Sequence, residues 1–210
     1  MGLLKKIFTK DNIKKVLLYA TIPALIFYSI SFKILRINNY DTMEIIRDFA
    51  QIVDYSSFLG FLSSIGTWLW VSSAAISFFG FFTLKDINKE QKGLLLILGI
   101  FSFLLGFDDF FMIHDWYVDQ NICYGLYAIL ALIILFKYFK FILRINGFAF
   151  IFAGFLLASS IFIDLIQDNL PFKYENTQIV EEALKFTGAA TWLYFISLVA
   201  SFKGSINDNN

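Results

Sequence analysis

Apolar positions along this chain come in runs far longer than the stripe of an amphipathic helix requires. Residues 16–35, 57–84, 93–113, 122–136, 148–167 and 183–202 are built mainly from Phe, Leu, Ile and Ala, with Gly and Ser among them. About 20 such residues cross a bilayer as a helix. The pattern therefore predicts an all-α fold, a polytopic transmembrane helix bundle of about six spans. Pro23 predicts a kink in the first span. The Ser- and Gly-rich second span is expected at the centre, since small side chains let helices approach closely. Between the first two spans, Ile45, Ile46, Phe49 and Ile52 recur at helical spacing and predict a short interfacial helix. Three regions result: a basic amphipathic segment over residues 1–15, the six-helix domain over 16–203 and a polar tail over 204–210.

Composition sharpens this reading. The 210 residues are 58% hydrophobic and 16% charged, whereas a soluble domain carries about 25% charged residues. The single Cys123 rules out an internal disulfide. Net charge is zero, but the charges are unevenly placed. With the N-terminus in the cytoplasm, cytoplasmic segments hold 12 of the 17 Lys and Arg residues, and 13 of the 17 Asp and Glu residues fall on the other side. Basic residues near span ends set orientation. Both termini are therefore expected in the cytoplasm, with the chain a multi-pass protein of the plasma (inner) membrane. Membrane lipids are the expected surroundings. No nucleic-acid patch, phosphate-binding glycine loop or paired haem histidines are present, and protein partners are not indicated.

The candidate chemistry lies at three span ends on the acidic side. Residues 106–115 read G-F-D-D-F-F-M-I-H-D and contain the only histidine. An ionisable group at membrane depth costs several kcal/mol unless paired, metal-bound or facing water. Asp108 lies about 22 Å along a helix from Gly93, and Asp164 at nearly the same depth from Phe148. Glu181, Glu182 and Lys185 open the last span. Asp108, Asp109, Glu181, Glu182 and Lys185 are the candidate catalytic residues. Asp108, Asp109, His114 and Asp164 form a candidate divalent-metal set, since one His with carboxylates suits a catalytic zinc or an oxygen-preferring ion. Helical spacing puts Asp108 on one face with Asp115, seven residues on, and leaves His114 off Asp109's face. The plainer reading also stands: Asp115, Asp119, Asp168 and Glu175 as solvated end residues, Lys185 as a salt-bridge partner, and the two glutamates as favourable charges at a helix N-terminus.

Residues 47–50 (R-D-F-A), 62–70 (L-x-x-I-G-T-W-L-W), 108–115 and 181–195 (E-E-A-L-K-F-T-G-A-A-T-W-L-Y-F) together resemble a family of small bacterial membrane proteins. That family commonly shows D-D-x-F-x-x-H-E and E-D-x-x-K-x-x-G at equivalent places. The resemblance implies six spans and a role for the acidic sites, and it carries no assigned activity. Glu181-Glu182-x-x-Lys185 also resembles the opening motif of the glutamic intramembrane proteases. Their later His-bearing helices have no counterpart in the 25 residues after Lys185. The alkaline ceramidase superfamily is similar in placing its site at outer span ends, but it uses three histidines. Three functions remain open from the residues: a metal-dependent hydrolase of a lipid-type substrate, a proton- or cation-coupled transporter or channel, and a non-catalytic membrane subunit.

Overall fold

The computed structural model describes Lys14 and residues 17–203, apart from 48, 57 and 86. The basic segment (Lys14 excepted) and the polar tail lie outside the described residues. Every regular element among the described residues is helical. The chain divides into two compact units, with the boundary between Leu59 and Gly60.

In the first unit, a π-helical turn (Leu17–Thr21) leads into α1 (Ile22–Ile37). Pro23 stands in the first turn of α1, where a missing N–H leaves no bond unmade. The expected kink is thus a change of helix type ahead of the proline. The interfacial stretch forms two short helices, α2 (Thr42–Ile46) and α3 (Phe49–Ile52). Glu44 accepts the Asp41 backbone N–H at 2.7 Å and fixes the start of α2.

The second unit contains α4 (Phe61–Thr83), α5 (Lys89–Phe111), the short α6 (Ile113–Trp116), α7 (Gln120–Ile166) and α8 (Tyr174–Ser201). Four of these, α4, α5, α7 and α8, are long and apolar enough to cross a membrane. The 47 residues of α7 absorb both the fourth and fifth expected spans. A straight helix would hold Gln120 and Asp164 about 66 Å apart at 1.5 Å per residue, yet Gln120 donates a hydrogen bond to Asp164. The chain therefore doubles back. It does so where the backbone leaves helical geometry, at Tyr138 and Asn146. The side chain of Asn146 accepts the Ala149 N–H at 3.0 Å and caps the returning arm. The basic stretch 137–144, which separates the fourth and fifth expected spans, lies within this helical bend.

Five rods thus run alternately up and down. The α4–α5 turn, the bend of α7 and the end of α8 share one end. There the buried Gln91 donates to the backbone oxygens of Val199 and Phe202, which close α8. The start of α4, the end of α5, both ends of α7 and the start of α8 share the other. Between them lies an aromatic core: Trp192 packs edge-on to Phe101 and donates from Nε1 to Ser102 Oγ at 2.9 Å. Trp70 and Trp192 are both buried in this core.

Candidate functional site

The end of α5 makes the site. Its helix stops at Phe111 because Met112 takes a left-handed conformation, φ 51° and ψ 47°. For a side-chain-bearing residue that geometry costs about 1–2 kcal/mol. What offsets it is the return of His114 onto the preceding turn. The His114 backbone N–H donates to Asp108 Oδ1, and its ring Nδ1 donates to Asp108 Oδ2, both at 2.9 Å. From the first arm of α7 the Tyr127 hydroxyl donates to the same Oδ2 at 2.8 Å. Three donors satisfy this one buried carboxylate, and the bond to Nδ1 fixes the imidazole's tautomer and orientation. The hydrogen bond to Asp108 raises the His114 pKa above the ordinary histidine value, against the opposing effect of burial. Its Nε2 stands 3.5 Å from Asp115 Oδ1, beyond a good hydrogen bond.

Asp109 points another way. Its Oδ2 accepts from the Thr67 hydroxyl on α4 at 3.1 Å, and its Oδ1 lies 3.4 Å from Lys185 Nζ on α8. Lys185 also donates to Glu182, one turn back, at 2.6 Å. The anticipated salt bridge of Lys185 is therefore made to Asp109 and Glu182, and neither Asp108 nor Asp164 takes part.

Asp164, near the end of α7, belongs to a third group. It accepts from Gln120, from the Tyr124 hydroxyl at 2.8 Å and from Gln167 at 2.8 Å. Gln178 then donates both to Gln167 and to Glu181, linking the end of α7 to the start of α8.

A cavity of about 710 Å³ joins much of this together. Asp108, Asp109, His114, Glu181 and Lys185 line its polar end, and Asp164 and Glu182 do not. Apart from Asn121, Tyr124, Tyr127 and Ser160, the rest of its wall is apolar, extending along both arms of α7 to Leu135 and Phe150. Pockets of this size and character suit small ligands.

The metal set suggested by Asp108, Asp109, His114 and Asp164 does not assemble. Among the described residues no three His, Cys, Asp or Glu side chains could hold one ion together. The reason is local: Asp108, Asp109 and Asp164 each face a different set of protein donors. The face argument fails with it, because the reversal at Met112 breaks the helical register that paired Asp108 with Asp115. The residues missed in the sequence are the donors: Thr67, Gln120, Tyr124, Tyr127 and Gln178. For Thr67, Tyr124 and Tyr127 the one signal was a hydroxyl inside an apolar run, which needs a partner when buried; Gln120 and Gln178 lie outside those runs and carried none.

A comparison with curated proteins and one with solved structures each return no match. A family model, described as Domain of unknown function (DUF8692), matches residues 16–199. That match spans most of the 210 residues, and the chain belongs to this family.

Proposed function

We propose that this is a six-span plasma-membrane protein with both termini cytoplasmic and its polar cavity opening on the opposite face, where it hydrolyses a lipid-type ester or amide. The five rods of the second unit supply five crossings, and α1 with its π-helical turn supplies the sixth. Large side chains such as Phe79, Phe82, Phe136 and Phe148 are each about 70% exposed or more. Water would not tolerate so much apolar surface, and lipid does. Lys85, Lys89, Lys92, Lys137, Lys140, Arg144 and Lys203 all belong to the end away from the site, and basic residues favour the cytoplasmic side.

The observation that carries the chemical reading is the imidazole of His114, bound through Nδ1 to buried Asp108 at the polar end of an apolar cavity. Such a pair is the base-and-orienter half of many hydrolytic sites. Neutral His114 takes a proton from water at Nε2 while the water oxygen forms a bond to the substrate's acyl carbon. The carbonyl π electrons move to oxygen, and the resulting negative charge faces Lys185, which Asp109 and Glu182 hold in place. Collapse of the adduct breaks the bond to the leaving oxygen or nitrogen, which receives the proton from imidazolium. The products are a fatty acid and an alcohol or amine. Asp108 remains a carboxylate throughout and stabilises the imidazolium. No step requires a metal, in keeping with the separate partners of the carboxylates.

The test is release of fatty acid from glycerolipids and N-acyl lipids by protein reconstituted in liposomes. Wild type is expected to release acid, and His114→Ala and Asp108→Asn to lose at least a hundredfold in rate. Absence of hydrolysis together with pH-driven cation uptake would replace this reading with transport. Absence of both, with variants merely less stable, would leave a structural subunit.

A further inference from the structure

The cavity's apolar part has its own shape. Gly125, Ala128 and Ala131 on the first arm of α7 and Gly154 and Ala158 on the second all line it. A Cβ added at Gly125 or Gly154 would meet nothing within 4 Å. These glycines therefore do not bring helices together; they leave width between the arms. The slot ends at Leu135 and Phe150, close to the bend.

Its depth can be set against the bilayer. Tyr127, which holds Asp108, lies eight residues above Leu135, about 12 Å of helix. On the returning arm, Ile161 lies eleven residues from Phe150, about 16 Å. One leaflet contributes half of a hydrocarbon core of roughly 30 Å, about 15 Å. The slot is one acyl chain deep. Its polar end offers a cation, Lys185, and the hydrogen-bonding face of His114, which suit the carbonyl and head group of a lipid and give nothing to a wholly apolar guest.

We propose that the slot between the arms of α7 takes a single acyl chain of a membrane lipid, with the carbonyl beside His114 and the chain end against Leu135 and Phe150. The fate of that carbonyl rests on the hydrolytic reading above, whereas occupation of the slot does not. Chain length then becomes the property the site selects, and any second chain stays in the surrounding leaflet.

Delipidated protein, titrated with single-chain lysolipids of increasing length and followed by native mass spectrometry, tests this. Wild type is expected to bind one molecule, roughly fourfold tighter per added methylene, until the chain fills the slot and the gain stops. Gly125→Leu with Gly154→Leu fills the width and should weaken long-chain binding at least tenfold while retaining the wild-type melting behaviour. Leu135→Ala lowers the floor and should move the plateau to longer chains, a readout that stands if the double variant does not fold. His114→Ala removes one hydrogen bond to the carbonyl and should weaken binding roughly two- to tenfold at every length, with the gain per methylene and the plateau unchanged. Equal binding by the filled variant and wild type, or affinity independent of chain length, overturns the proposal. If wild type and His114→Ala both bind in the expected manner but wild type releases no fatty acid, the hydrolytic reading fails and the slot stands. If wild type hydrolyses lipids with a length profile that neither slot variant alters, the slot fails and the hydrolytic reading stands.

Discussion

The seam between α4 and α5 and the slot between the arms of α7 are both furnished with small residues, to opposite effect. In the seam, a Cβ on Gly106 would come within 2.9 Å of Trp70 Cβ, and one on Gly99 within 2.9 Å of the Phe78 ring. Ser73 and Ser77 of α4 are fully buried. There, small residues close the helices onto one another. In the slot, Gly125 and Gly154 face open space. Small residues thus report only that a backbone is bare; what lies across decides between a contact and a cavity. Lipid also changes the energetics. A sealed apolar void of about 710 Å³ would cost at most about 17 kcal/mol at ~24 cal/mol per Å³. That exceeds the ~5–15 kcal/mol stability of a typical domain, whereas a slot open to acyl chains avoids the penalty by filling.

Breaking the seam should have the largest effect. Gly106→Leu drives a side chain into Trp70 and is expected to destabilise by about 3 kcal/mol or more, seen as a large fall in melting temperature in detergent. Gly154→Leu should change stability by no more than about 0.5 kcal/mol. Equal losses at the two sites would erase the contrast. Asp108→Asn comes next. It removes the charged acceptor of three donors and should cost about 1–3 kcal/mol, besides abolishing turnover; a variant as stable as wild type would show that the site end is not organised around this carboxylate.

Smaller again is the Lys185–Asp109 pair, whose lysine side chain is 30% exposed. A double-mutant cycle with Lys185→Met and Asp109→Asn should give a coupling of about 0.5–1 kcal/mol, and a coupling of zero would detach Lys185 from the site. The pH effect is the smallest. Because folding raises the His114 pKa, its contribution to stability is fully present below the unfolded value of ~6.5 and is lost as pH rises through the folded value. The same shift places the acid limb of the activity profile above pH 6.5, since the base must be neutral. Thermal denaturation across that range should show wild type losing stability that His114→Gln never had.

Much of the architecture was legible because long apolar runs have few alternatives to membrane-length helices. The bend of α7 was less so. Lys137, Lys140 and Arg144 interrupt the apolar pattern between two expected spans, yet the backbone stays helical there and turns only through Tyr138 and Asn146. The candidate site was readable as residues and not as contacts. Asp108, Asp109, His114, Glu181 and Lys185 do line one cavity, but periodicity paired Asp108 with Asp115 and gave no sign of the His114–Asp108 contact. The left-handed turn at Met112 that joins His114 to Asp108 has no glycine or proline to announce it. Closeness in sequence or depth did not bring the carboxylates to a common point: Thr67, Tyr124 and Tyr127 each draw one of them to a different partner.

An experimental structure determined in a lipid mesophase tests the central claim most directly. The account predicts chain-shaped density between the arms of α7, ending in a carbonyl within hydrogen-bond reach of His114 Nε2, with Nδ1 still bound to Asp108. Arms closed together, with Gly125 and Gly154 in contact and His114 turned away from Asp108, would contradict it.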